Sequence, residues 1–327
     1  MTSKRASAVE VVCVGEAMGQ FVPADGRRIE DAGTFALHQA GAESNVAIGL
    51  ARLGHRAVWV SRLGDDAIGR RIRTALEREG VEASLPQVMD DRPTGVFLKD
   101  PDHRSRSVTY YRRGSAASRL DRSDIGRALG LRPRLLHLSG VVPALSASCD
   151  DAVGFAIEAA RARAVMTSFD VNYRPALWRN RDTAAERLLE IANASDIVFV
   201  GLDEAGSLWG STDAADVRRA IPSARTLVVK EGARRATSFG ADVATSVPAL
   251  RVDVVESVGA GDAFAAGWLS GFLRGHEPSV ALRCGHLMAR AALMSLSDQG
   301  EVLPVASMAV LARDESLWST AGRAEDR

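Results

Sequence analysis

A repeated alternation of short aliphatic runs with longer helical patterns restricts the fold of this chain more than any other feature. Residues 9–14, 57–60, 135–138, 164–169, 197–200 and 226–229 are each short, continuous and aliphatic. Strands read this way when helices cover both faces of the sheet they form. Helical spacing occupies residues 43–53, 67–79, 147–163, 181–192 and 261–274. The order predicts an α/β fold, a doubly wound and mostly parallel sheet with helices on both faces. Residues 21–39 and 94–111 break the rhythm, being rich in β-formers and turn residues without helical spacing. Within the second, residues 95–99 and 107–111 read as a hairpin around 100–106. Residues 16–39 and 92–113 are thus expected to form a small β-sheet protruding over a single main domain.

A chain of 327 residues can hold one large α/β domain or two ordinary ones. Its 41 basic and 41 acidic residues cancel, so nothing draws it toward nucleic acid or an anionic membrane. No apolar run reaches the ~20 residues that crossing a bilayer requires. No N-terminal segment resembles a signal peptide, so a cytoplasmic location is expected. Cys13, Cys149 and Cys284 are scattered without a CxxC, which fits buried thiols in a reducing compartment. The six histidines lack ligand spacing, so a structural zinc site is not expected.

The chemistry concentrates at Val254-Val255-Glu256-Ser257-Val258-Gly259-Ala260-Gly261-Asp262, followed by small residues that read as a helix. An apolar β-branched run there meets a glycine-rich turn. The N–H groups of Gly259, Ala260 and Gly261 would lack internal partners, and the helix would aim its positive end at whatever lies above. That arrangement suits an anion whose charge grows during reaction. Asp262, in the first turn, can accept a proton from an attacking hydroxyl. The combination points to phosphoryl transfer to an alcohol. A second segment, Gln39-Ala40-Gly41-Ala42-Glu43-Ser44-Asn45, also enters a helix. Gly41 lets a ligand approach the backbone, and Asn45 offers a donor and an acceptor to a polyol. No lysine follows a glycine, which excludes a P-loop kinase, and no GxGxxG follows the first strand, which argues against a dinucleotide-binding dehydrogenase.

The string from Glu256 to Gly267 resembles the second signature of the ribokinase-like (PfkB) carbohydrate kinases. Residues 39–54, with Gly64-Asp65-Asp66-Ala67-Ile68-Gly69, resemble the first. The resemblance spans about Val9 to Pro304. It implies a ribokinase-like fold, an anion hole at Gly259, Ala260 and Gly261, Asp262 as catalytic base, and Gly41 and Asn45 on substrate hydroxyls. It also implies ATP and Mg²⁺, and a β-lid that closes over the sugar and often joins two copies as a homodimer. Tyr110-Tyr111-Arg112-Arg113-Gly114-Ser115 and Ser168-Phe169-Asp170-Val171-Asn172-Tyr173-Arg174-Pro175 resemble 2-keto-3-deoxygluconate kinases in particular. There the sugar is an acid, and a guanidinium can grip a carboxylate or phosphate with two parallel hydrogen bonds.

By that resemblance Tyr110 and Arg112 touch the sugar acid, and Arg174 lies between it and the transferred phosphate. Phe97 matches a substrate position where relatives can carry tyrosine. Arg113 is read as a solvated charge. On the nucleotide side, Lys230-Glu231-Gly232-Ala233-Arg234-Arg235 resembles a KxGxxG turn near the phosphates, with Arg235 in place of the second glycine. Lys230 and Gly232 are therefore expected at the nucleotide, as are Asn172, Gly259, Gly261 and His286, the last near the adenine. Glu204 matches the glutamate of an NxxE motif that organises Mg²⁺, while Gly201 replaces the asparagine. The metal is then expected to be held by Glu204 through water. Ala40 and Glu256 also depart from the family pattern. Residues 295–300 resemble a monovalent-cation loop loosely, which leaves potassium open.

The expected reaction is transfer of the ATP γ-phosphoryl group to the C6 hydroxyl of 2-keto-3-deoxygluconate. The alternatives are a neutral ketose kinase of fructokinase or ribokinase type, and a non-catalytic sugar-binding protein on the same scaffold.

Overall fold

Six parallel strands carry the molecule's centre. In a computed structural model, which describes residues 8–100, 108–241, 243–295, 305–316 and 318, they belong to an eight-stranded sheet. The strands in chain order are β1 (Val11–Val14), β2 (Met18–Pro23), β3 (Phe35–Ala40), β4 (Ala57–Val60), β5 (Arg62–Gly64), β6 (Gln87–Met89), β7 (Val96–Lys99), β8 (Val108–Tyr111), β9 (Leu135–Ser139), β10 (Met166–Asp170), β11 (Ile197–Gly201), β12 (Thr226–Lys230), β13 (Arg235–Phe239) and β14 (Ala244–Pro248). The α-helices are α1 (Ala42–Arg52), α2 (Ala67–Arg78), α3 (Arg122–Gly130), α4 (Ala147–Ala162), α5 (Arg181–Ala194), α6 (Leu202–Trp209), α7 (Ala214–Ala220), α8 (Ala260–Leu273), α9 (Pro278–Leu293) and α10 (Val305–Arg313). The large sheet runs β14-β13-β12-β11-β10-β9-β1-β4.

Strand alternation builds a core on each side. Val12, Val14, Leu136, Leu138, Val198 and Val200 face α3 to α7, whereas Val11, Cys13, Leu135, Ile197 and Phe199 face α1, α2 and α8 to α10. Each strand is therefore buried on both faces, which is why it reads as continuous aliphatic sequence. All three cysteines are buried and unpaired. No helix among the described residues is long and apolar enough to cross a membrane.

The small sheet has the order β3-β2-β7-β8. Phe97 lies opposite Tyr110 in the β7–β8 register. The tip of that hairpin, residues 101–107, lies outside the described residues, as do residues 296–300 of the expected cation loop.

The mostly parallel sheet is as expected; three further features refine or differ from the sequence reading. The sheet ends in two antiparallel strands, because the Lys230–Arg235 and Phe239–Ala244 connections are far shorter than the dozen or so residues a parallel crossover requires. Gly232, at φ 61, turns the first of these hairpins. The β-branched run before Gly259 is no strand: Val254, Val255 and Val258 are exposed, and the segment is anchored by Val255 and Glu256 N–H bonds to the Leu293 carbonyl. Finally, Ala164 sits at φ 54 in a turn, so β10 begins two residues later.

Candidate active site

Polar groups or, on β11, a glycine end the parallel strands: Glu16 just beyond β1, Ser139 on β9, Asp170 on β10, Gly201 on β11 and Lys230 on β12. Ligands of open α/β sheets bind outside such carboxyl ends. Here a cleft of about 1340 Å³ opens over them, between the large sheet and the small one. All the residues singled out from the sequence line it: Gly41, Asn45, Phe97, Tyr110, Arg112, Asn172, Arg174, Glu204, Lys230, Gly232, Gly259, Ala260, Gly261, Asp262 and His286.

Small residues bring the central groups together. A Cβ added at Gly49 would lie 2.5 Å from the Ala266 Cβ, and one at Gly271 would lie 2.9 Å from the Ala281 Cα. Helices α1, α8 and α9 therefore pack at near-backbone distance. Asn45 stands one turn before Gly49, and Asp262 one turn before Ala266, so that packing sets their separation. The Asn45 amide donates to Asp262 Oδ2 at 3.0 Å. From the segment after β10, Asn172 donates to Oδ1 at 3.3 Å. Asn172 holds φ 39, a strained conformation for a non-glycine residue. Both carboxylate oxygens of Asp262 are thus pinned by amides.

Burial pushes the Asp262 carboxyl up to about 7, with Asp170 adding to the rise while the Asn45 bond, Arg174 and Lys230 oppose it. Such a group exchanges a proton near neutrality. Gly259, at φ 82, caps the start of α8, and the first-turn amides that follow lack intrahelical partners. The site therefore combines a poised base with a fixed positive pole.

One flank of the cleft lies under the small sheet. Arg112 pairs with the buried Glu16 through Nη2, and its guanidinium lies 5.6 Å from the Tyr110 ring centre. Ser115 donates to the other Glu16 oxygen at 2.6 Å. Arg112 Nε is buried and has no hydrogen-bond partner. Phe97 meets Tyr110 at 5.4 Å between ring centres. A side chain at Gly41 would collide with Ser44 Oγ at 2.8 Å and the Ala17 Cα at 2.9 Å, so only glycine permits this backbone approach.

On the opposite side, Lys230 donates to Asp170 at 2.9 and 3.2 Å. Burial opposes its charge, but Asp170 and Glu204 outweigh burial and raise its pKa. Glu204 accepts from Tyr173 N at 2.9 Å and from Gly201 N at 2.8 Å. Those bonds occupy Glu204 with the backbone, and Gly201 contributes its N–H where the expected asparagine side chain is missing. Arg174 is half exposed at the mouth, 4.0 Å from Glu204. His286 is held near pKa 4 by burial and is neutral; its Nε2 bonds to the Val247 carbonyl at 3.1 Å, and its ring abuts Phe264. Arg235, where the second glycine was expected, starts β13 with its side chain half exposed, and it lines the cleft.

Sequence reasoning missed Glu16, Asp170 and Glu43. The first two stand at or just beyond the ends of strands it had located, and a polar residue there is itself a signal. Glu43, in the first turn of α1, is fully buried; burial raises it to about 7, and Oε2 has no partner.

The pfkB family carbohydrate kinase model matches residues 8–304. The chain is 34% identical over 300 residues to a 2-dehydro-3-deoxygluconokinase of Bacillus subtilis (strain 168), covering 89% of this chain and 91% of that one. It is 32% identical over 266 residues to a probable chloroplastic fructokinase-6 of Arabidopsis thaliana, covering 80% and 69% respectively. The crystal structure of a PfkB protein from Polaromonas sp. JS666 superposes with a TM-score of 0.81 at 36% identity, covering 89% of this chain and 98% of that one.

Proposed function

This chain belongs to the pfkB family of carbohydrate kinases, and we propose that it phosphorylates 2-keto-3-deoxygluconate on its C6 hydroxyl with the γ-phosphoryl group of ATP. The observation that carries the reading is Asp262, a buried carboxyl beside the opening turn of α8 and held through both oxygens. Asp262 takes the proton of the C6 hydroxyl as that oxygen attacks. The amides of Gly259, Ala260 and Gly261 oppose the charge on the transferring group. Arg174, half exposed at the cleft mouth, adds its charge between the two substrates. Little covalent work falls to the protein; positioning and electrostatics carry the step.

Arg112 supports a sugar acid over a neutral ketose. Glu16 and Tyr110 fix the guanidinium plane, while the buried Nε still lacks an acceptor. A substrate carboxylate supplies one, in the two-pronged geometry that guanidinium favours. The nucleotide lies along Gly232, Lys230 and His286, with Asn172 beside its terminal phosphate. Magnesium fits the hard oxygen set there, since Asn172 Oδ1 is buried without a partner and Glu204 can hold a hydrated ion. When bound, the ion neutralises phosphate charge. The small sheet acts as lid over the acceptor, and two copies pair through it.

The test is ADP release with ATP, Mg²⁺ and a panel of 2-keto-3-deoxygluconate, its galactonate epimer, fructose and ribose. The sugar acid should exceed fructose in kcat/KM by at least ~10²-fold, the worth of one buried charged pairing. Asp262→Asn should lose ~10²–10⁴-fold in turnover. A preference for fructose sinks the substrate assignment. An Asp262→Asn enzyme retaining over about a tenth of turnover sinks the base.

A further inference from the structure

Lys99 is one of only three lysines in the chain, and it closes β7 of the small sheet. It lies two residues beyond Phe97, so the two share the strand face that looks into the acceptor side of the cleft. Its ammonium pairs with Glu256 Oε2, on a segment 157 residues away. Both side chains are largely withdrawn from water, at 13% and 22% exposure, so the pair is less screened than a surface ion pair. Glu256 does more than answer that charge. Its Oε1 accepts from Ser257 N at 2.8 Å and from Val258 N at 3.1 Å, the two amides directly before Gly259. Lys99 and the neighbouring amides together hold the Glu256 carboxyl below the ordinary glutamate range against the effect of burial. One carboxylate therefore ties the lid strand to the backbone that leads into the amide cradle.

We propose that Lys99 is a positioning residue that, through Glu256, couples lid closure over the acceptor to the shaping of the cradle at Gly259, Ala260 and Gly261. The lid holds Phe97, Tyr110 and Arg112 on one side of the ion pair. The cradle holds the transferring phosphate on the other. An acceptor that draws the lid down brings Lys99 onto Glu256, and Glu256 fixes the turn before Gly259. By linkage, a formed cradle with nucleotide bound must favour the closed lid by the same factor. The extra methylene of Glu256, where the family motif opens with aspartate, gives the carboxylate reach to serve both partners.

The inference rests on the kinase reading of the cleft but not on which acceptor it takes. The test uses whichever panel compound the wild-type protein phosphorylates, so failure of the sugar-acid assignment leaves it intact. Calorimetry measures the Kd of the non-hydrolysable analogue AMP-PNP with Mg²⁺, with and without saturating acceptor. Wild type should bind the analogue at least ~5-fold tighter with acceptor present, the lower end of ordinary coupling. In Lys99→Met the ratio should fall toward one, with kcat down ~10-fold, while the Kd for analogue alone changes less than ~3-fold. Lys99→Arg should restore most of the ratio. Glu256→Gln should lose it, and adding Lys99→Met to Glu256→Gln should cost nothing more. A wild-type ratio of one, or a folded Lys99→Met protein with the wild-type ratio, overturns the proposal.

Discussion

Replacing Gly49 with alanine should disable the enzyme through a contact that touches no substrate. The new Cβ would stand 2.5 Å from the Ala266 Cβ. Carbon atoms need about 3.5–4.0 Å, so the shortfall is roughly 1–1.5 Å. Neither methyl can rotate away, because each is fixed to its helix backbone. Helix α1 must therefore retreat from α8, although Ile48 and Leu50, on the flanks either side of Gly49, are buried in the core. Overpacking of this kind costs about 1–3 kcal/mol of stability. The functional loss should be larger. Asn45 is one turn from the clash and now lies 3.0 Å from Asp262 Oδ2. A retreat of about 1 Å breaks that bond, and a misplacement of that size can cost ~10² in rate. Coupled ADP release and thermal melts should show kcat/KM down ~10²-fold in a protein that still folds. Adding Ala266→Gly removes the opposing methyl and should return most of the activity. Gly126→Ala is the contrast: nothing lies within 4 Å of its added Cβ, so stability should rise by about 0.4–1 kcal/mol with turnover unchanged. Full activity in Gly49→Ala, or no rescue by Ala266→Gly, would refute the claim that this helix contact sets the base.

Three further outcomes are expected. Because Asp262, as the proposed base, must be ionised to accept a proton and burial raises its carboxyl to about 7, kcat/KM should climb with pH as a single proton leaves near neutrality; a flat profile between about pH 5.5 and 8.5 contradicts this. Glu43, raised from 4.5 to about 7, binds a proton in the folded state that the unfolded chain has released, so its contribution is present at low pH and lost as pH rises through the folded value; Glu43→Gln should therefore gain up to about 3 kcal/mol at pH 8 and almost nothing at pH 4, read from paired melts. Glu16→Gln should loosen Arg112, raising KM for the proposed sugar acid ~10-fold while KM for ATP stays put; equal rises in both would assign Glu16 a merely structural part.

What could be read in the chain beforehand follows how local each determinant is. Strands buried on both faces leave aliphatic runs, so the six parallel strands were legible, and residues 57–60 match β4 at both ends. The antiparallel end of the sheet was not, because Arg235–Phe239 and the edge strand Ala244–Pro248 mix polar and apolar residues, and only hairpin length distinguishes them. Val254 and Val255 misled for the opposite reason: β-branching favours extended backbone, yet no neighbouring strand receives them, so they stay in solvent. The site residues lie in short motifs at helix openings and strand ends, and a motif travels intact in the sequence. Their partners do not. Glu16 meets Arg112 across 96 residues, Asn45 meets Asp262 across 217, and Lys99 meets Glu256 across 157. Each pair joins groups that look complete alone, and only folding reveals that one member governs the other's geometry. The function proposed for this cleft is therefore encoded twice, locally in the groups proposed to meet substrate and at long range in the pairs that orient them. The second layer is where substitutions far from any motif should alter rate without altering fold.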